Sequence, residues 1–348
     1  MNLPRDWKHF FKQNLMALII GTAGAAIAMS IKIPLAPLIG AMAAVLTANR
    51  LGLDISIHPK LRMIVIMVVG VFLGSKFTPE VFTAMALWPW SLLAVAFYVP
   101  IATIFAAFYF TRVAKYSLIT SLFSAVPGGV VAMIAIGTEV GGNTKSIVIS
   151  QTFRVIFAVT IVPAILVSII PGDGAASVAT NAMAISWNVV GILALAAIVG
   201  AYSSRKLKIP AFHIIGPLIA SGLLYSTGMI EGELPGVLLN ACLVVMGTAL
   251  GGLVPPTSRR ELLVLSFHAL VVVFLLITLS GLFAVGITAF LPLDPMAVFL
   301  AFAPGGLVEM SAIALSLDLS PQFVSVHHIV RILICFLAAP ALAHLVKN

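Results

Sequence analysis

The sequence predicts an all-α polytopic membrane protein built as an inverted repeat, each half holding about five transmembrane helices and one re-entrant hairpin. Three observations lead there. Of 348 residues, 61% are hydrophobic and 9% are charged, against about 25% charged in soluble domains. The stretch AVPGGVVAMIAI at 125–136 returns without a gap as FAPGGLVEMSAI at 302–313. The Lys and Arg residues collect in short loops whose charge reverses between the halves.

Internal similarity fixes the domain plan. Pro127, Gly128, Gly129 and Met133 correspond to Pro304, Gly305, Gly306 and Met310, an offset of 177 from 127 to 304. The same offset carries Arg154 onto Arg331, Pro163 onto Pro340, Gly70 onto Gly247 and Gly74 onto Gly251. After a one-residue slip, Pro34 and Gly40 fall on Pro210 and Gly216. The first repeat is therefore 1–175 and the second 176–348.

Each half offers six apolar segments: about 14–30, 34–49, 61–75, 84–111, 116–138 and 146–170, then about 187–203, 211–227, 236–254, 262–291, 295–316 and 323–346. Most are long enough to cross a bilayer. The first follows RDWKHFFKQ and reads as a spanning helix, since no small-residue cleavage site precedes SIKIP. Trp88 and Trp90 around Pro89 mark an interfacial anchor opening the fourth. The pairs Gly70/Gly74 and Gly247/Gly251 permit close helix approach.

Short cytoplasmic loops carry the excess Lys and Arg. The loop after the second segment holds Arg50, Lys60 and Arg62, and its counterpart holds Glu231 and Glu233. Lys32 alone faces Arg205, Lys206 and Lys208; Lys76 and Glu80 face Arg259 and Arg260; Arg112 and Lys115 face Asp294. All four pairs favour inversion, which needs an odd number of crossings per half. The segment that does not cross is the fifth, where Pro-Gly-Gly divides it into two arms of about 16 Å, enough to reach the bilayer centre. Both termini are then cytoplasmic.

Irregular backbone at membrane depth is tolerated where protein or a watery cavity surrounds it. The tips Pro127–Gly129 and Pro304–Gly306 offer free N–H groups and the positive end of a short helix to an anion. Arg154 and Arg331 lie some eight residues into the following helices. Two readings stand for them: a planar fork for a carboxylate or phosphate, or a clamp on carbonyls freed at each hairpin. Glu309 takes the place of Ala132 in the other half, so it is an ion-coupling candidate or a salt-bridge partner of Arg331. His327 and His328, opposite Ser150 and Gln151, are proton-coupling candidates or plain interhelical hydrogen-bond partners. Gln151 and Ser311 are candidate substrate contacts, with Ser124 and Thr152 as weaker ones.

Other chemistries are absent from the sequence. It has no HExxH, GxSxG, Walker loop or CxxC, so no catalytic residue, metal, cofactor or enzymatic activity is expected. Cys242 and Cys335 have no metal-like spacing and read as packing residues. The net charge of +8 sits in the topology-setting loops, which speaks against nucleic acid.

PGGVVAM with Gln151–Arg154, PGGLVEM with His328–Arg331, and the IPLAPLIGAM and IPAFHIIGPL stretches at 33–42 and 209–218 resemble the AbrB-duplication membrane family over nearly the whole chain. The names in use for that family are regulator of gene expression and ammonia monooxygenase. Neither suits these residues, which include no copper-ligand cluster and no soluble DNA-binding part. The chain departs from the family's more symmetric pattern at Ala132, where an acid is expected.

The reading at this stage is a secondary active transporter, elevator-like in plan, for a small organic anion coupled to H+ or Na+. It sits in the lipid bilayer of a bacterial plasma (inner) membrane, with a homodimer as the default assembly. The rival readings are a membrane-embedded sensor or regulator, and a channel.

Overall fold

A computed structural model describes residues 7–169, 187–230, 232 and 234–347. The loop acids Glu231 and Glu233, the Glu80 side chain, and the junction of the two halves at 175–176 lie outside the described residues. Among those described there are helices and no strands. In chain order they are α1 (Trp7–Ser30), α2 (Ala36–Arg50), α3 (Pro59–Gly74), α4 (Pro79–Ala84), a 3-10 turn at Met85–Leu87, α5 (Trp88–Arg112), α6 (Leu118–Ala125), α7 (Val130–Glu139), α8 (Thr144–Ile169), α9 (Trp187–Lys206), α10 (Phe212–Ser226), α11 (Gly236–Gly251), α12 (Arg259–Thr288), α13 (Pro295–Phe302), α14 (Leu307–Ser316) and α15 (Pro321–Lys347).

Five of the described helices are long and apolar enough to cross a membrane: Met85–Arg112, Thr144–Ile169, Asn188–Lys206, Arg259–Thr288 and Pro321–His344. Their outer faces are apolar, with Phe97, Phe105 and Phe108 on α5, Leu195 and Ile198 on α9, and Phe267, Leu282 and Val285 on α12 all exposed. Surfaces of that kind are stable only in lipid or against a partner. The sequence led to an expectation of ten spanning helices. However, α2 and α10 have 15 residues and α3 and α11 have 16, about 22–24 Å at 1.5 Å per residue, short of a ~30 Å hydrocarbon core. The physical reason for α2 and α10 is the repeated Ile-Pro turn before each, which holds Lys32 and Leu35, and again Lys208 and Ala211, at positive φ and delays the helix start.

The chain forms two compact units that cut across the repeat. One comprises Met1–Thr78 and Val167–Val254, the other Pro79–Leu166 and Pro255–Asn348. Each unit thus takes the equivalent helices from both halves.

Within the first unit the packing is reciprocal. Helix α1 packs on α2 and α9 on α10; α2 packs on α11 and α10 on α3. The glycines make this close approach possible. A Cβ on Gly70 would fall 2.7 Å from the Ile214 carbonyl oxygen, and one on Gly247 would overlap the Leu38 carbonyl. Gly74 and Gly251 repeat the pattern against Leu218 and Met42, and Gly24 with Gly40 is matched by Gly200 with Gly216.

The second unit is organised by α5 and α12, which run antiparallel: Tyr98 Oη meets Ser280 Oγ at 3.1 Å, and Tyr109 Oη meets His268 Nδ1 at 3.1 Å. The PGG motifs interrupt the chain between α6 and α7 and between α13 and α14. The first pair is a hairpin with its ends together. Thr120 Oγ1 near the start of α6 accepts from the Asn143 N–H beyond α7 (3.0 Å), and a Cβ on Gly137 would lie 2.8 Å from the Phe123 Cβ. Asn143 Oδ1 in turn accepts from Ser146 N–H (2.9 Å) at the start of α8. Lys145 pairs with Glu261 at 2.5 Å, so α8 begins beside the start of α12. By contrast α15 begins beside the start of α5, where His327 meets Ser91 and Phe323 packs on Trp88. The last helix of each half therefore starts at opposite ends of the α5–α12 pair.

Candidate functional site

A proline followed by two glycines ends one short helix and starts another, leaving the carbonyls of the first and the N–H groups of the second without helical partners. The two breaks share this problem and differ in backbone. Gly129, before α7, is left-handed (φ 61, ψ 47), whereas Gly306, before α14, is extended (φ −82, ψ 162).

Arginines from the following helices meet the freed carbonyls. Arg154 Nη1 donates to the Val126 carbonyl (2.6 Å). At the equivalent position Arg331 Nη1 donates to the Ala303 carbonyl (2.6 Å), and its Nη2 donates to the Gly305 carbonyl. One turn earlier the pattern repeats: Gln151 Nε2 donates to the carbonyls of Phe123 (2.7 Å) and Val126 (3.3 Å), and His328 Nε2–H donates to the Leu300 carbonyl (3.1 Å). Positive charge at the carbonyl end of a short helix is favourable on dipole grounds as well. Both guanidiniums are almost fully buried, at 3% and 2% exposure. Each keeps a buried Nε–H without a partner. They are close enough to act on one another and on Tyr98 electrostatically.

The first tip also touches the second half's last helix. A Cβ on Gly128 would lie 3.0 Å from Cys335 Sγ and 3.9 Å from the Arg331 carbonyl oxygen. Pro127, Gly128, Gly129, Gln151 and Arg154 thus assemble at one tip, and Pro304, Gly305, Gly306, His328 and Arg331 at the other.

Glu309 is buried in the first turn of α14. Its carboxylate folds back over the helix start: Cδ lies 3.0 Å from where a Gly306 Cβ would be, with Oε2 nearer still. It also lies within electrostatic range of Arg331. An acid three residues after the N-cap is the reciprocal half of a capping box.

Two expected site residues lie away from the tips. His327 faces α5, with Nδ1–H donating to the Phe323 carbonyl (2.8 Å) and Nε2 against Ser91 Oγ (2.8 Å). Successive helical residues are about 100° apart, so His327 and His328 cannot serve one point. Ser311 accepts from Ser325 Oγ (2.9 Å) and fastens α14 to α15.

Sequence reasoning missed Tyr98 and Ser280. Tyr98 is fully buried between Phe283 and Phe302, and Ser280 Oγ is 2.9 Å from the Phe302 carbonyl oxygen at the end of α13. Neither stands out in its apolar helix. Cys335, read as packing, is packing, but against the tip itself.

A helical membrane protein with paired broken helices and a buried arginine at each break is the class that this geometry defines. Its family follows from comparison with known sequences. The profile described as Transition state regulatory protein AbrB matches residues 37–347, and the chain belongs to that family. It is 24% identical over 326 residues to an Escherichia coli (strain K12) protein named "Putative regulator AbrB", covering 92% of each chain. It is likewise 24% identical over 299 residues to Bacillus subtilis (strain 168) "Uncharacterized protein YhjN", covering 81% of this chain and 77% of that one.

Proposed function

We propose that the protein is a secondary active transporter for a small organic anion, coupled to protons or sodium. The observation that carries this reading is the pseudo-symmetric pair of broken helices, each with a buried arginine at its tip and each followed by a helix that starts at the opposite end of the second unit. Inverted repeats with discontinuous helices and a midplane site are the pattern of secondary transporters.

The closed base of the α6–α7 hairpin supports a segment that leaves by the side it entered, and the charged loops set its sign: Arg112, Lys115, Lys145, Arg259 and Arg260 all flank the α8–α12 end. On this reading each half is inverted relative to the other and both termini are cytoplasmic in a bacterial inner membrane. All the candidate residues belong to one compact unit, as an elevator-like carrier requires of the part that holds the substrate. Glu309 and His328, adjoining Arg331, are the coupling candidates; His327 is set apart from them by its Ser91 contact.

Reconstitution tests this. Purified protein in liposomes is expected to accumulate labelled carboxylates saturably under an imposed proton or sodium gradient. Saturable binding without flux would support a sensor, the role suggested by the regulator name of the E. coli relative. Flux that neither saturates nor couples to a gradient would indicate a channel.

A further inference from the structure

The two tips are not equivalent as anion sites, and their difference specifies the substrate. On α14 the helix start is already occupied by a carboxylate from the chain, that of Glu309 over Gly306, and Leu307 to Ala314 are buried. On α7 the corresponding residue is Ala132. There a Cβ on Gly129 would meet only Ala132 Cβ at 3.8 Å and Met133 Cε at 4.0 Å, and Gly129, Val130 and Ala132 are part-exposed. Where the Glu309 carboxylate lies over the start of α14, the start of α7 has only the Ala132 methyl.

Each arginine near this tip has a donor that lacks an acceptor. Arg154, whose Nη1 is fixed on Val126 three residues before Gly129, has a buried Nε–H with no partner. Arg331 has another, and the first tip rests on the turn of α15 that carries it.

Charge sets the valence. Among the described residues the buried ionic side chains of this unit are Arg154, Arg331 and Glu309, two positive and one negative. His328 donates from Nε2, and its Nδ1 is buried without a partner, a geometry suited to the neutral ring. One unit of positive charge is left over, and uncompensated buried charge is costly.

We propose, building on the transport reading above, that the start of α7 at Gly129 and Ala132 is the seat of the substrate's carboxylate, that Glu309 is the chain's own occupant of the matching seat on α14, and that the substrate is a monoanion. The two helix starts then carry one carboxylate each, one supplied by the protein and one by the ligand, with the two guanidiniums shared between them.

The test is thermal unfolding of the full chain in detergent, with acetate, lactate, pyruvate and benzoate as monoanions and succinate, malate and glutarate as dianions. Ligands that bind only the folded protein raise its melting temperature. At least one monocarboxylate is expected to stabilise wild type, and the dicarboxylates are not. Ala132→Glu is expected to melt higher than wild type without ligand and to lose the monocarboxylate shift. Glu309→Gln raises the buried charge by one and is expected to move preference towards dicarboxylates by about tenfold, the effect of 1.4 kcal/mol.

A full monocarboxylate shift in folded Ala132→Glu overturns the seat. Wild type favouring dicarboxylates, with Glu309→Gln unchanged, overturns the charge count even if Ala132→Glu does not fold. In both cases the transport reading survives; a wild type that neither binds nor moves any of these anions refutes that reading instead.

Discussion

Replacing Arg331 by Met keeps much of its length and removes its charge and donors, so it isolates what the guanidinium does for the break between α13 and α14. Two carbonyls, those of Ala303 and Gly305, lose a charged donor in a buried site. Hydrogen bonds to charged groups contribute about 1.5–3 kcal/mol each, so the expected loss is roughly 3–6 kcal/mol, a large part of a typical 5–15 kcal/mol stability. Arg154→Met provides the internal comparison. It removes one bond, to Val126, and that carbonyl retains Gln151 at 3.3 Å, so the expected cost is about 1.5–3 kcal/mol or less. Unfolding in mixed detergent micelles, followed by helical circular dichroism, measures both. An Arg331→Met within about 1 kcal/mol of wild type, or an Arg154→Met costing more than Arg331→Met, would refute the clamp. Because Arg331 holds the carbonyls at the α13–α14 break, Ala132 and Glu309 are the better probes of the proposed substrate contact.

The remaining predictions concern packing. Gly70→Ala and Gly247→Ala each drive a Cβ into a carbonyl of the facing helix and are expected to cost about 1–3 kcal/mol apiece, similar in size because the contacts are reciprocal; thermal unfolding in detergent checks both. Gly128→Ala places a methyl 3.0 Å from Cys335 Sγ and is expected to destabilise by a similar amount. Combination with Cys335→Ala should recover part of this, a double-mutant coupling of about 0.5–3 kcal/mol, and no recovery would disprove that the tip rests on that sulfur. Breaking the Lys145–Glu261 pair, with side chains 42% exposed, should cost only about 0.2–1 kcal/mol, and less in high salt.

Much of this architecture is legible in the sequence because duplication makes it so. The repeated PGG, the matched arginines and the paired glycines appear at matching positions in the structure, since each answers a local demand: a break, a set of freed carbonyls, a close helix crossing. The grouping into compact units was not legible, because nothing in one helix names its partner. Gly70 packs on Ile214 and Gly247 on Leu38, contacts between halves that a GxxxG pattern permits without specifying. Segment bounds were legible, 34–49 and 211–227 against Ala36–Arg50 and Phe212–Ser226; what hydropathy alone did not weigh is that 15 residues of helix fall short of the hydrocarbon core.

At the site, the arginines had two readings in the sequence. The structure supplies the carbonyl clamp and shows each Nε–H buried without a partner. Glu309, a coupling candidate or salt-bridge partner of Arg331 in the sequence, stands at the third position of α14 and folds its carboxylate back over Gly306, the place from which an acid can cap. The two histidines, adjacent in sequence, look equivalent until helical geometry sends His327 to Ser91 and His328 to Leu300.

The central claim is that the hairpins enter from opposite sides and leave by the side they entered. Single cysteines at exposed Val113, Glu139, Phe290 and Ser320, in a background with Cys242 and Cys335 changed to Ala, can be labelled in intact cells with a membrane-impermeant maleimide. Val113→Cys and Glu139→Cys are expected to be protected together on the inner face, while Phe290→Cys and Ser320→Cys are expected to react together on the outer face. Labelling that separates Val113→Cys from Glu139→Cys across the bilayer contradicts it.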